Sequence, residues 1–181
     1  PEREFNAGMA EVWKAGYILD DQLASNLRSQ TWSYRSPGLD DIVRRCIEIK
    51  AKVVEADEFE TTGLRAVLNF GHTIGHAIEK VQGYGDWLHG EAVAAGMVVE
   101  ARLGELLGVT PSGTSKQIAE DMRSQGLPWL VPNLDPHELV SAMQSDKKAT
   151  SDGLAFSLLM GPGACKLISG VKESEVLKVL G

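Results

Sequence analysis

Three of the four histidines in this 181-residue chain, His72, His76 and His89, crowd into one short stretch, and imidazole is both a common metal ligand and a proton carrier near neutral pH. His72 and His76 stand four apart in NFGHTIGHAIE, so on a helix both rings project from one side. His89 follows thirteen residues after His76, where GYGDWLHGE turns into the next helical run, and can fold back to that side. Metal ligands commonly come from two facing helices and the turn between them. A carboxylate added to the histidines gives an oxygen-and-nitrogen set suited to zinc, with cobalt or iron as alternatives, and an open position for substrate. Glu11 is a candidate, although Lys14 lies one turn away in AEVWKAG and the local reading of that pair is a surface ion pair. Hydrogen-bonded imidazoles without a metal remain the competing reading of His72 and His76. The fourth histidine, His137, follows Pro136 at a helix start.

The histidine pair belongs to a longer stripe. Arg65, Asn69, His72, His76 and Glu79 step by four, three, four and three, which confines them to an arc of roughly 80° on a single helix. Leu64, Val67, Leu68, Ile74 and Ile78 occupy the other faces, so the polar stripe is expected to line a cleft. The zinc-protease pattern HExxH is not met, because Thr73 follows His72 and no glutamate is there to act as base. The glycine spacing from Gly108 to Gly113 lacks the lysine of a phosphate-binding loop, and no GxGxxG follows a strand. The chain carries no nucleotide motif of its own.

Positioning these residues falls to a mainly α domain with one small β element. The pattern predicts a helix through Phe5, Met9, Val12 and Trp13, and an amphipathic helix from Asp40-Asp41 through Ile42, Cys46, Ile49 and Val53. It predicts further helices from Gly63 to Val81, from Gly90 to Leu107, from Thr114 to Ser124, from Glu138 to Ser145 and from Glu173 to Leu180. Phe156 to Met160 and Cys165 to Ile168 flank a Gly-Pro-Gly turn and read as a hairpin. No repeat or linker divides the chain, so residues 1–181 read as one domain.

With 43% hydrophobic and 24% charged residues the composition is that of an ordinary globular protein. A formal net charge of −7 argues against nucleic acid or an anionic membrane as partner, and any anionic ligand needs a local cluster of cations. Cys46 and Cys165 lack CxxC spacing and fit two thiols in a reducing compartment; with no signal segment or membrane span in view, a cytoplasmic location is expected. The chain starts at Pro1 and enters a helix almost at once, which reads as a piece of something longer.

The segments GMAEVWKAGYILD, IKAKVVEADEFETTGLRAVLNFGHTIGHAIE, HGEAVAAGM and SDKK, in this order and spacing, resemble the C-terminal domain of the 3-dehydroquinate synthase family from about Gly8 to Lys148. The resemblance implies zinc or cobalt on Glu11, His72 and His89. It further implies that Lys14, Lys50, Arg65, Asn69 and His76 bind a phosphorylated keto-acid substrate, together with one of Lys147 and Lys148. Glu60 matches a carboxylate assigned to proton transfer, His76 is a proton shuttle near the phosphate end, and Lys14 belongs with the catalytic groups. Thr61-Thr62 adds one residue between Glu60 and Arg65 relative to the family pattern. The implied enzyme is a lyase of the shikimate pathway to aromatic amino acids, a homodimer whose preceding domain binds NAD and is absent from this chain. On that footing the chain alone is expected to be inactive. The alternatives are another sugar-phosphate cyclase, a metal-dependent polyol dehydrogenase, or a non-catalytic helical domain that binds metal.

Overall fold

In the computed structural model, residues 1–59, 63–83, 85–146 and 153–181 are described. Helix α1 (Glu2–Leu19) buries Met9, Ala10, Trp13, Tyr17 and Ile18, which recur at the three- and four-residue spacing of one helical face. It stops at Asp20, whose carboxylate accepts from the Leu23 amide at 3.0 Å and so caps α2 (Asp21–Leu27). This short helix lies outside the sequence reading; it follows α1 so closely that its apolar residues pass for a continuation. Helix α3 (Leu39–Ala56) begins where Asp40-Asp41 places it, buries only Ile42 and Val53, and is tied to the α1–α2 corner by Arg45, which donates to Asp20 at 2.5 and 2.7 Å.

The expected helix from Gly63 to Val81 is broken in two. Leu64–Asn69 form a 3₁₀ segment, and α4 (His72–Gln82) starts afresh after Gly71. Gly71 has φ 81°, and a Cβ on it would lie 2.5 Å from the Met97 side chain, so position 71 takes only glycine and reverses the chain there. Arg65 and Asn69 therefore do not share a helix face with His72 and His76, and the five-residue stripe is corrected to two separate pieces.

Helix α5 (His89–Leu106) is buried along nearly its whole length and separates two cores. On one side Val93, Met97 and Val98 pack with Trp13, Ile18, Leu23, Phe70 and, from α6 (Thr114–Ser124), Ile118 and Met122. On the other, Ala95, Val99 and Leu103 meet Ile74 and Ile78 of α4 and Leu139 and Met143 of α7 (Pro136–Asp146). This second core also takes Phe156 and Leu158 of a hairpin and Val176 of α8 (Glu173–Leu180). The hairpin pairs β1 (Leu154–Gly161) antiparallel with β2 (Ala164–Val171) around the expected turn, in a register that sets Phe156 opposite Ile168. The mainly helical fold with one small hairpin is the class the sequence led to. No helix among the described residues is long and apolar enough to cross a membrane.

Candidate metal centre

Three helices bring the site together: α1 supplies Glu11 and Lys14, α4 begins with His72, and α5 begins with His89. His72 Nε2 lies 3.5 Å and His89 Nε2 3.9 Å from the same atom, Glu11 Oε1. A tetrahedral ion about 2.1 Å from each donor holds its ligand atoms roughly 3.4 Å apart, so these separations are close to what one ion requires. Glu11 Oε1 is itself buried and has no hydrogen-bond partner, whereas Oε2 of the same carboxylate accepts from Lys14 Nζ at 2.7 Å.

Protonation points the same way. His72 Nδ1 is 3.3 Å from the Phe70 carbonyl oxygen, which can only accept, so Nδ1 carries the proton and Nε2 directs its lone pair at Glu11. Burial pushes the His72 pKa down to about 4, and the Lys14 charge adds to the effect, so the ring is neutral at physiological pH. Burial alone would raise the Glu11 carboxyl, but Lys14, its hydrogen bond and the two imidazoles outweigh it and hold the pKa below the ordinary carboxylate value. An anionic oxygen that faces an imidazole lone pair across a gap too wide for a hydrogen bond is a poor arrangement without a cation and a good one around it. The donor set fits a divalent metal.

Beside the cluster a cleft of about 900 Å³ is lined by Glu11, Lys14, Lys50, Arg65, Asn69, His72 and His89. Seven residues singled out in the sequence thus share one cavity. Three of them, Lys14, Lys50 and Arg65, are cationic, and they supply the local positive charge that an anionic ligand needs in an acidic chain. The backbone amide of Arg65 donates to Asp57 at 3.1 Å, which fixes the start of the 3₁₀ segment. Val43, Ile47, Val54 and Leu167 form apolar parts of the wall.

His76 does not line this cleft. One turn further along α4, it is exposed, with its ring centroid 5.4 Å from that of His72 and 5.9 Å from that of His89. Glu60, Lys147 and Lys148 lie outside the described residues. Two carboxylates that matter were not read as part of the site. Glu79, part of the polar stripe, approaches His89 Nδ1 at 3.1 Å through Oε1. Glu100, fully buried on α5, accepts from the amides of Gly71 at 2.7 Å and Ile74 at 3.2 Å. The sequence does carry a signal for Glu100, since a lone charge inside the apolar run EAVAAGMVVEA must find partners if that run is buried.

Residues 8–149 match the family model described as 3-dehydroquinate synthase C-terminal. A 3-dehydroquinate synthase of Desulforamulus reducens is 41% identical over 184 residues, covering 99% of this chain and 51% of the relative. The chain therefore spans about half the length of that curated relative. Among solved structures, 2-deoxy-scyllo-inosose synthase complexed with carbaglucose-6-phosphate, NAD+ and Co2+ superposes with a TM-score of 0.81 at 26% identity, over 99% of this chain and 51% of that one. A 2-epi-5-epi-valiolone synthase from Streptomyces hygroscopicus subsp. jinggangensis, with NAD+ and Zn2+ bound, has a TM-score of 0.79 over 99% of this chain and 51% of its own, and at 19% identity it speaks to the fold alone.

Proposed function

The chain belongs to the 3-dehydroquinate synthase C-terminal family, and from that premise we propose that it is the metal- and substrate-binding half of a 3-dehydroquinate synthase. The reaction is conversion of 3-deoxy-D-arabino-heptulosonate 7-phosphate to 3-dehydroquinate with elimination of phosphate. The observation that carries the proposal is the conjunction of the Glu11–His72–His89 cluster with three cations in one cleft, which suits a small substrate bearing both a carboxylate and a phosphate.

Glu11, His72 and His89 would hold zinc or cobalt, which supplies Lewis-acid polarisation, while NAD on a preceding domain supplies reversible hydride acceptance. This chain's own side chains bind and orient. Lys14 lines the cleft and neutralises Glu11 Oε2. Lys50 and Arg65 take the anionic ends of the substrate, and Asn69 its hydroxyls. His76, exposed one turn along α4 from His72, is the group for proton exchange with solvent. Glu60 and one of Lys147 and Lys148 complete the set. The homodimer and the cytoplasmic location remain part of this proposal.

A second reading has one specific observation in its favour: the 26%-identical 2-deoxy-scyllo-inosose synthase is complexed with carbaglucose-6-phosphate, a sugar-phosphate analogue without a carboxylate. The two readings separate on a single assay. The protein joined to its NAD-binding half is supplied with NAD, cobalt(II) or zinc, and either the keto-acid phosphate or glucose 6-phosphate, and phosphate release is followed. Release from the keto-acid phosphate alone is expected; release confined to the sugar phosphate refutes the substrate assignment.

A further inference from the structure

His89 is the most exposed of the three candidate ligands and the first residue of its helix, so packing alone does little to fix its ring. A hydrogen bond from its other nitrogen does. His89 Nδ1 lies 3.1 Å from Oε1 of Glu79, a carboxylate whose side chain is only 14% exposed. An ionised carboxylate has no proton to give, so in the neutral ring Nδ1–H donates and Nε2 keeps its lone pair on the side of Glu11 Oε1. The Phe70 carbonyl does the same for His72. Glu79 stands seven residues, about two turns, beyond His72, so one face of α4 delivers both a ligand and the group that aims the ligand of the neighbouring helix.

The same atoms admit a different arrangement. His76, Glu79 and His89 also bring donor atoms within 4.8 Å of one another, which would make Glu79 a ligand. The Glu11 set is the better one for an ion. It offers a buried oxygen without a hydrogen bond, whereas Glu79 Oε1 is already engaged with the nitrogen that would have to ligate beside it. Binding there would cost His89 its Nδ1 proton or leave its Nε2 idle.

We propose that Glu79 is a positioning residue of the metal centre, a carboxylate that fixes the tautomer and aim of His89 without touching the ion. The proposal rests on the metal reading of Glu11, His72 and His89. Its loss should weaken metal binding by the 10- to 100-fold typical of such outer partners and leave the ligand set intact. The test is cobalt(II) binding to the protein, by visible absorption and chelator competition, in Glu79→Ala, Glu79→Gln, His76→Ala and His72→Ala. Glu79→Ala is expected to bind about 10- to 100-fold more weakly with an unchanged spectrum at saturation. Glu79→Gln, whose amide oxygen still accepts from Nδ1–H, is expected to recover most of the affinity. His76→Ala should bind as the parent does.

Equal affinity in Glu79→Ala and the parent overturns the proposal, as does a Glu79→Gln no better than Glu79→Ala. An altered cobalt spectrum in Glu79→Ala, with loss of binding in His76→Ala, makes Glu79 a ligand and also overturns it. Undiminished binding in His72→Ala would instead strike at the underlying metal assignment, so the two failures are told apart.

Discussion

Removing Glu100 should loosen the helix that carries His72. Helix α4 begins with Gly71 as its N-cap, a residue with no side chain to accept from the first-turn amides, and the tight contact with Met97 leaves no room for one. The acceptor arrives from α5 instead: Glu100 takes the Gly71 and Ile74 amides, the second at the position a capping side chain normally serves. Hydrogen bonds to a charged group contribute about 1.5–3 kcal/mol each, so two are worth roughly 3–6 kcal/mol. Glu100→Ala also relieves the desolvation of a fully buried carboxylate, which returns part of that sum. The net expectation is a loss of about 2–4 kcal/mol. In a domain of this size that is a fall in melting temperature of roughly 4–16 °C. Glu100→Gln keeps one acceptor oxygen and turns an amide NH2 toward the second backbone donor, so it should lose a smaller amount. Thermal denaturation without metal reads the stability, and chelator competition reads the metal affinity, which should fall because His72 is the first residue of the helix. A Glu100→Ala protein that melts within about a degree of the parent and binds metal equally well would refute the capping argument.

Three other predictions rest on packing and protonation. In Gly90→Ala the new Cβ would meet the Ala7 carbonyl oxygen at 1.9 Å, so α1 and α5 must separate; a stability loss of about 1–3 kcal/mol is expected, with weaker cobalt binding as Glu11 withdraws from His89. Unchanged binding by chelator competition would show that the α1–α5 contact does not set the site. Burial pushes the Cys46 thiol up to about 11 and the Cys165 thiol up to about 12, with nearby Asp20 and Glu100 respectively adding to it. Both thiols should resist iodoacetamide in the native protein at a pH where an unfolded cysteine, near 8.5, reacts. Because folding raises both pKa values, their contribution to stability is complete below about 8.5 and is lost as the pH climbs through the folded values. Denaturant midpoints should accordingly fall from neutral to strongly alkaline pH, and less so in a Cys46→Ser, Cys165→Ser protein.

Most of the helices and the hairpin were legible because they bury one face, and burial writes its period into the sequence. The site was legible where chemistry is local. His72, His76 and His89 announce themselves as a histidine cluster and Arg65 and Asn69 as a polar stripe, whereas Lys50 gained its role only through the resemblance to a family. What was hidden depends on contacts between distant segments. Glu11 reads locally as the partner of Lys14, and nothing near it in the chain reveals that its second oxygen faces two imidazoles; only the resemblance to a family pointed there. The break at Gly71 was hidden for the same reason. Residues 64–82 hold helical periodicity throughout, and the chain turns only because the Met97 side chain and the Glu100 carboxylate of α5 occupy the space and the hydrogen bonds that a continuous helix would need.

Two close backbone approaches at glycines explain why the candidate ligands meet where they do. Gly90 lies against the Ala7 carbonyl and Gly96 against the Gly71 carbonyl, each so near that a Cβ would fall within about 2 Å of the oxygen. Both contacts are made by α5, the first to α1 and the second to the head of α4. The first has candidate ligands near both of its residues, since Ala7 is one turn before Glu11 and Gly90 follows His89; the second has one, since Gly71 precedes His72. Side-chain packing tolerates adjustments of an ångström through rotamer changes, whereas contact between backbones does not. Glycine at positions 90 and 96 thus sets the spacing of three helices where they carry Glu11, His72 and His89. Two of the cleft's three cations stand apart from these contacts, Lys50 on α3, which buries only two residues, and Arg65 on the 3₁₀ segment. On the proposed function that division suits the chemistry, because backbone contacts place the three candidate ligands while Lys50 and Arg65 reach the cleft from separate elements.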